Sequence, residues 1–252
     1  MPDDPRWPEL LLVARHGESA GNVARDAAEG SGIAVIDIAE RDMDVDLSPL
    51  GERQAQALGR WLAEPDHRPT VVLASPYVRA HRTAQLAAEA GELDVEIISD
   101  ERLREREFGA LDRLTRAGIE ERFPDEAKAR ARLGKFYHRP PGGESWCDVG
   151  LRVRSVIDST GREYGGERVL VVAHQVVIHM IRYVLEHLDE AQILAAERER
   201  ELTNCSITTY VHDPSAGRHG GMRLTGYDEV VALEREDTPT TAESDEPSAI
   251  RP

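Results

Sequence analysis

The chain has 252 residues, of which 40% are hydrophobic and 31% charged, a balance that suits one large globular domain with a well-solvated surface. Its formal net charge of -16 argues against nucleic acid or an anionic membrane as a partner, since both select a basic face. A small anion stays open, because a few arginines in a cleft outweigh a distant acidic surface. Cys147 and Cys205, the only cysteines, sit in no CxxC pattern, so neither a disulfide framework nor a zinc knuckle is expected. The N-terminal "MPDDPRWPE" has no apolar stretch behind it of the kind a signal peptide needs. No apolar run reaches the length of a membrane span. A soluble cytoplasmic protein is the expectation.

In chain order, "ELLLVA" (9–14), "TVVLAS" (70–75) and "RVLVVAH" (168–174) read as buried parallel strands, too short for helices and rich in Val and Leu. Each is followed by a segment of helical spacing. "SPLGERQAQALGRWLAE" opens on Ser48 as N-cap and Pro49 as first helical residue, and "SPYVRAHRTAQLAAEAG" repeats the device at Ser75-Pro76 and stops at Gly91. "VVIHMIRYVLEHL" follows the third strand. The alternation predicts an α/β fold of three layers, α/β/α, around a mostly parallel sheet. "TNCSITTYVHD" (203–213) and "GMRLTGYD" (221–228) predict a strand pair at a sheet edge, joined by a Gly-rich turn. Residues 1–228 form a single domain in this reading. Segments 20–46 and 110–145 interrupt the alternation as lid-like excursions. Residues 229–252 read as an acidic, disordered tail.

In an open parallel sheet, ligands sit outside the C-terminal strand ends. The first strand ends at Arg15-His16, the second leads into a helix carrying Arg79, and the third ends at His174. A metal site does not want adjacent guanidiniums, whose charge repels a cation; a phosphate group does, because guanidinium forks match its oxygens. One neutral imidazole can then attack phosphorus, and the second can stabilise the developing charge. A leaving alkoxide still needs a proton. "ERLREREFGAL" offers Glu101, Glu105 and Glu107 for this, and composition alone does not choose among them.

"LLVARHGESAGN" resembles the signature of the histidine phosphatase superfamily, the phosphoglycerate-mutase-like fold. "LSPLGERQAQALG", "ASPYVRAHRTAQ", "LREREFGAL", "GGES" and "VVAHQVV" follow in the expected order, so the resemblance spans roughly residues 9 to 211. It implies that His16 is the nucleophile that becomes phosphorylated. It also implies that Arg15 and Arg79 clamp the phosphoryl group, that His174 completes the pocket and that Glu105 is the proton donor. Asn22, in "GESAGN", resembles a secondary phosphate contact. The His174-Gln175 pair and the segment before "GGES" are similar to the bisphosphatase half of the bifunctional fructose 2,6-bisphosphate enzymes. That likeness adds Gln175, Tyr137 and Arg139 as expected substrate-binding residues. Gly142 and the Ile178-His179 pair depart from that branch, and weaken the case for a second substrate phosphate.

The resulting expectation is a metal-independent phosphomonoesterase without cofactor, acting through a phosphohistidine on a small phosphorylated metabolite. Glu105 is expected to be partly buried. Two alternatives accompany it: a cofactor-dependent phosphoglycerate mutase, and an inactive phosphate-binding or interaction module. A homodimer through a sheet edge is compatible with the pattern, and nothing demands one.

Overall fold

The computed structural model describes residues 6–217 and 219–242. In chain order the elements are β1 (Leu10–Arg15), α1 (Ala20–Gly30), a 3-10 turn (Asp42–Asp44), α2 (Pro49–Leu62), β2 (Val71–Ala74) and α3 (Val78–Ala90). Then come β3 (Ile97–Ser99), α4 (Arg116–Arg122), α5 (Pro124–Leu133), α6 (Trp146–Glu163), β4 (Arg168–Ala173) and α7 (Gln175–Leu185). The chain continues through α8 (Glu190–Glu199), β5 (Ile207–Asp213), β6 (Gly221–Glu229) and α9 (Val231–Glu234).

The described strands form one sheet in the order β3-β2-β4-β1-β5-β6. β1, β4, β2 and β3 run parallel, with Arg15 opposite Ala173 and Ala74 opposite Val172. β5 runs antiparallel to β1, and β6 antiparallel to β5, which is the expected edge pair. β3 goes beyond the expected strands: two half-buried isoleucines and an exposed serine carry too little apolar periodicity to stand out.

Alternate side chains of a strand point to opposite faces, and the sheet uses both. Leu11 and Val13 of β1 pack with Val153 and Ile157 of α6 and with Val177 and Met180 of α7. Leu12 and Ala14 pack instead with Ala55 and Leu58 of α2 and with Ala84 and Leu86 of α3. Each fully buried Val or Leu contributes about 1.5–3 kcal/mol, so two apolar layers hold the strand ends in register. The three-layer α/β/α arrangement follows.

α2 starts as predicted: Pro49 is its first residue, and the Ser48 hydroxyl accepts the Gly51 amide at 3.0 Å. α3 does not. It begins at Val78, after an N-cap at Tyr77 without a side-chain cap, so Ser75 is not its N-cap. The 20–46 and 110–145 excursions pack on one another. Val35 bridges Leu114, the Ile36 amide donates to Arg113 O at 2.9 Å, and the Thr115 hydroxyl donates to Ile33 O at 2.7 Å.

The expected tail boundary needs correction. Residues 229–242 are folded onto the body, because Ala232 and Leu233 supply apolar side chains that are buried beside α2. Arg60 of α2 pairs with Glu236 at 2.9 Å, and Arg235 pairs with Glu64. Residues 243–252 of the expected tail lie outside the described residues, as do residues 1–5.

α2 and the loop after β1 meet through two glycines. A Cβ on Gly51 would lie 2.0 Å from Glu18 O, and one on Gly17 would lie 2.5 Å from Gly51 O. Gly51→Ala must therefore push this loop away from α2. The expected cost is about 1–3 kcal/mol, read as a fall in the urea midpoint at unchanged slope. An unmoved midpoint would mean that the contact is slack.

Candidate active site

β1 delivers Arg15 and His16 to the C-terminal end of the sheet, and both are completely buried. The backbone continues the pairing one step past the strand, with the His16 amide donating to Ala173 O at 3.0 Å. The Arg15 guanidinium donates to Leu202 O. His16 Nδ1 lies 2.7 Å from Gly17 O. A carbonyl only accepts, so Nδ1 carries the ring proton and Nε2 of the neutral imidazole keeps its lone pair.

The loop bearing His16 is held from several sides. His16 O accepts from Asn204 Nδ2 at 3.1 Å and from the Cys205 amide at 3.3 Å. The Gly17 amide donates to Thr83 Oγ1 at 3.0 Å, and that hydroxyl donates to Arg79 O at 2.7 Å. The Glu18 amide donates to Gln54 Oε1 at 2.8 Å. Gln54 and Asn204 are in turn fixed by the C-terminal segment. Gln54 Nε2 donates to Pro239 O at 3.0 Å, the Asn204 amide donates to Thr241 O at 2.8 Å, and Thr241 Oγ1 donates to Asn204 Oδ1 at 3.0 Å.

β4 delivers His174, also fully buried, as the N-cap of α7. Its ring lies 5.1 Å from that of His16, tilted by 59°. The amino end of α7 adds a favourable field for an anion there. His174 Nε2 lies 2.8 Å from Ser75 Oγ, which also accepts the Tyr77 amide at 3.2 Å. The donor in the His174–Ser75 bond follows the ring tautomer, since a hydroxyl can give or accept. Ser75 ends β2 as His16 and His174 end their strands, so the strand-end rule points to it too. The reading as a helix cap obscured that.

Tyr77 stands edge-on to the His174 ring at 5.2 Å, and its hydroxyl donates to Glu107 Oε1 at 2.7 Å. Burial, then the bond to Glu107, pushes the phenol well above its ordinary range, so it stays a donor. The Arg79 guanidinium lies 5.2 Å over the Tyr77 ring. Arg79, 3% exposed, also receives Asp42 from the 3-10 turn: Nη1 donates to Asp42 O at 2.6 Å and to Oδ1 at 3.0 Å.

Glu105 is 1% exposed, deeper than expected, and one carboxylate oxygen accepts the Arg106 amide at 2.7 Å. Its loop is clamped by "GGES" and α6. Arg152 donates to Arg104 O at 2.6 Å and to Glu144 Oε2 at 3.0 Å, and Arg106 Nε donates to Glu144 O at 2.7 Å. Glu107, the exposed neighbour, is the Tyr77 partner.

Asn22 is buried and completes a capping box on α1. Its Oδ1 accepts from the Ser19 amide at 3.0 Å and the Ser19 hydroxyl at 2.9 Å. Asn22 also lines a cavity with Arg79, Asp42, Arg25 and Arg113. Gln175, 2% exposed, opens α7 beside His174.

Tyr137 and Arg139, expected as substrate-binding residues, have exposed side chains. Burial alternates here: Phe136 and His138 point inward, so Tyr137 and Arg139 point out. Tyr137 is 54% exposed, with the Glu190 charge holding its phenol above the usual range, while Arg139 pairs with Asp148 at the start of α6.

Comparison with known proteins agrees with this geometry. The model of the histidine phosphatase superfamily, branch 1, matches residues 11–223. A 2,3-bisphosphoglycerate-dependent phosphoglycerate mutase of Methylobacterium radiotolerans is 32% identical over 222 residues, covering 83% of this chain and 99% of the relative. The structure of a mycobacterial glucosyl-3-phosphoglycerate phosphatase in complex with VO3 is similar with a TM-score of 0.66 at 28% identity, covering 87% of this chain and 98% of that one. A phosphoserine phosphatase variant from Entamoeba histolytica in complex with phosphoserine, at 21% identity and TM-score 0.67, covers 89% of this chain and 98% of its own and shares the fold. From the first strand to the edge pair, the chain belongs to branch 1 of the histidine phosphatase superfamily.

Proposed function

We propose that the chain is a phosphomonoesterase that works through a phosphohistidine on His16 and acts on a small phosphorylated metabolite. The observation that carries this reading is the His16 ring. Its Nδ1 is committed to Gly17 O at 2.7 Å, so the other nitrogen is the nucleophile, in a fully buried ring 5.1 Å from that of His174.

In this mechanism Arg15, Arg79 and His174 hold the phosphoryl oxygens. The Nε2 lone pair of His16 forms the N–P bond as the ester P–O bond breaks. The electron pair leaves on the alkoxide oxygen, which takes a proton from Glu105. Water then attacks phosphorus, Glu105 accepts its proton, the N–P bond breaks, and phosphate leaves. The arginines supply the positive charge that a metal supplies elsewhere, so the reading needs none.

The 32% identity to a phosphoglycerate mutase favours a second reading, in which the phosphohistidine passes its phosphoryl group back to an acceptor. A mutase has to shield that intermediate from water. Here the Asp42 side chain on Arg79 is 37% exposed, so solvent reaches the edge of the clamp, and hydrolysis is the reading preferred.

The test is phosphate release from p-nitrophenyl phosphate, sugar phosphates and 3-phosphoglycerate, with and without a 2,3-bisphosphoglycerate primer. Hydrolysis predicts release without primer; isomerisation that needs the primer would support the mutase. His16→Ala is expected to lose both release and acid-labile labelling by at least about 10³-fold, and an active His16→Ala enzyme would rule the mechanism out. Glu105→Gln is expected to lower kcat by about 10²–10⁴-fold, with less effect on p-nitrophenyl phosphate, whose leaving group needs no proton. Activity should survive excess EDTA, and complete loss would contradict the metal-free mechanism.

A further inference from the structure

The 31–46 stretch between α1 and α2 is mostly irregular, yet it reaches the Arg79 guanidinium through Asp42. The 3-10 turn at Asp42–Asp44 is stiffened by Arg41, whose Nε donates to Asp44 Oδ2 at 2.7 Å while Arg41 O accepts the Asp44 amide at 2.8 Å. Asp42 then meets the Arg79 guanidinium fork on fork: Nη1 to Oδ1 at 3.0 Å and Nη2 to Oδ2 at 3.3 Å. Nη1 also donates to the Asp42 main-chain oxygen at 2.6 Å. The Arg79 side chain is 4% exposed and the Asp42 side chain 37%, so the carboxylate covers the cation from the solvent side. Two parallel N–H···O bonds are the geometry in which a guanidinium takes two phosphoryl oxygens.

We infer that Asp42 is an internal competitor for phosphate. Its carboxylate occupies the Arg79 fork when the pocket holds no phosphoryl group, yields to an incoming phosphate ester, and returns to displace product phosphate. The inference rests on the reading of Arg79 as a phosphate clamp. A phosphomonoester dianion wins the exchange because it carries more charge than a carboxylate and gains Arg15 and His174 as well. A phosphodiester or sulfate ester, with a single charge, has less to gain. Asp42 is thus a specificity-determining residue, favouring dianionic monoesters and shortening the stay of the product.

The alternative is a passive strap, in which Asp42 only anchors the linker. Asp42→Asn separates the two, since it keeps the main-chain contact and the side-chain shape but removes the charge. The experiment is isothermal titration of inorganic phosphate, with EDTA present, into the wild type, Asp42→Asn and Arg79→Ala. It is paired with product inhibition of p-nitrophenyl phosphate hydrolysis. Competition predicts that Asp42→Asn binds phosphate roughly tenfold more tightly, and that its inhibition constant falls in parallel. Asp42→Ala must move in the same direction, which guards against a folding defect in one variant. Unchanged or weaker phosphate binding in these variants, with Arg79→Ala impaired, overturns the competitor and leaves the clamp intact. Phosphate binding that is the same in the wild type and in Arg79→Ala, or absent from all, overturns the clamp itself.

Discussion

Two guanidiniums and two imidazoles, buried at the ends of neighbouring strands, set the central constraint on this molecule. Buried cations are costly unless oxygen atoms surround them. The structure meets the requirement with atoms that the fold already has in place. Leu202 O accepts from Arg15, Gly17 O takes the His16 ring proton, the Ser75 hydroxyl bonds His174 Nε2, and the Asp42 turn takes Arg79. Each of these oxygens comes from a different stretch of chain. The site therefore exists only where β1, β2 and β4 end together, and the two apolar layers exist to keep those ends aligned.

A ring of uncharged hydrogen bonds stands behind the charged groups. Thr83 links the His16 loop to the backbone of α3, Gln54 links it to α2, and Asn204 links it to the turn before β5. The Glu105 loop has its own frame in Arg152 and Glu144. These partners fix the backbone of the loops that carry His16 and Glu105, and preorganisation of that kind lets charge stabilisation act without reorganisation.

Much of this was readable beforehand, for definite reasons. β1, β2 and β4 are buried on both faces, so their apolar runs are unbroken. Ser48-Pro49 caps α2 because that signal is local. The strand-end positions of Arg15, His16 and His174 follow from topology once the sheet is parallel. What escaped was non-local or short. β3 has three residues. Ser75 carries a cap-like dipeptide, but its hydroxyl is used across the sheet by His174. Asp42 reads as part of a solvated acidic run, and only the folding-back of the 31–46 stretch puts it on Arg79. Tyr137 and Arg139 lie close to "GGES" in sequence, yet alternation about the buried Phe136 turns them outward. The segment after β6 looks like tail because charged and polar residues crowd its few apolar ones, Ala232 and Leu233 among them.

The docking of that last segment has a temporal side. Thr241 braces Asn204, and Pro239 and Thr241 both brace Gln54, while Asn204 and Gln54 hold the loop of His16, made more than two hundred residues earlier. During synthesis the His16 loop leaves the ribosome more than two hundred residues before the segment that braces its supports. A nascent chain thus carries His16 in a loop that is not yet braced until residues 239 to 241 have emerged and docked. The order of manufacture itself delays the bracing of the strand-end cluster until that segment has been made.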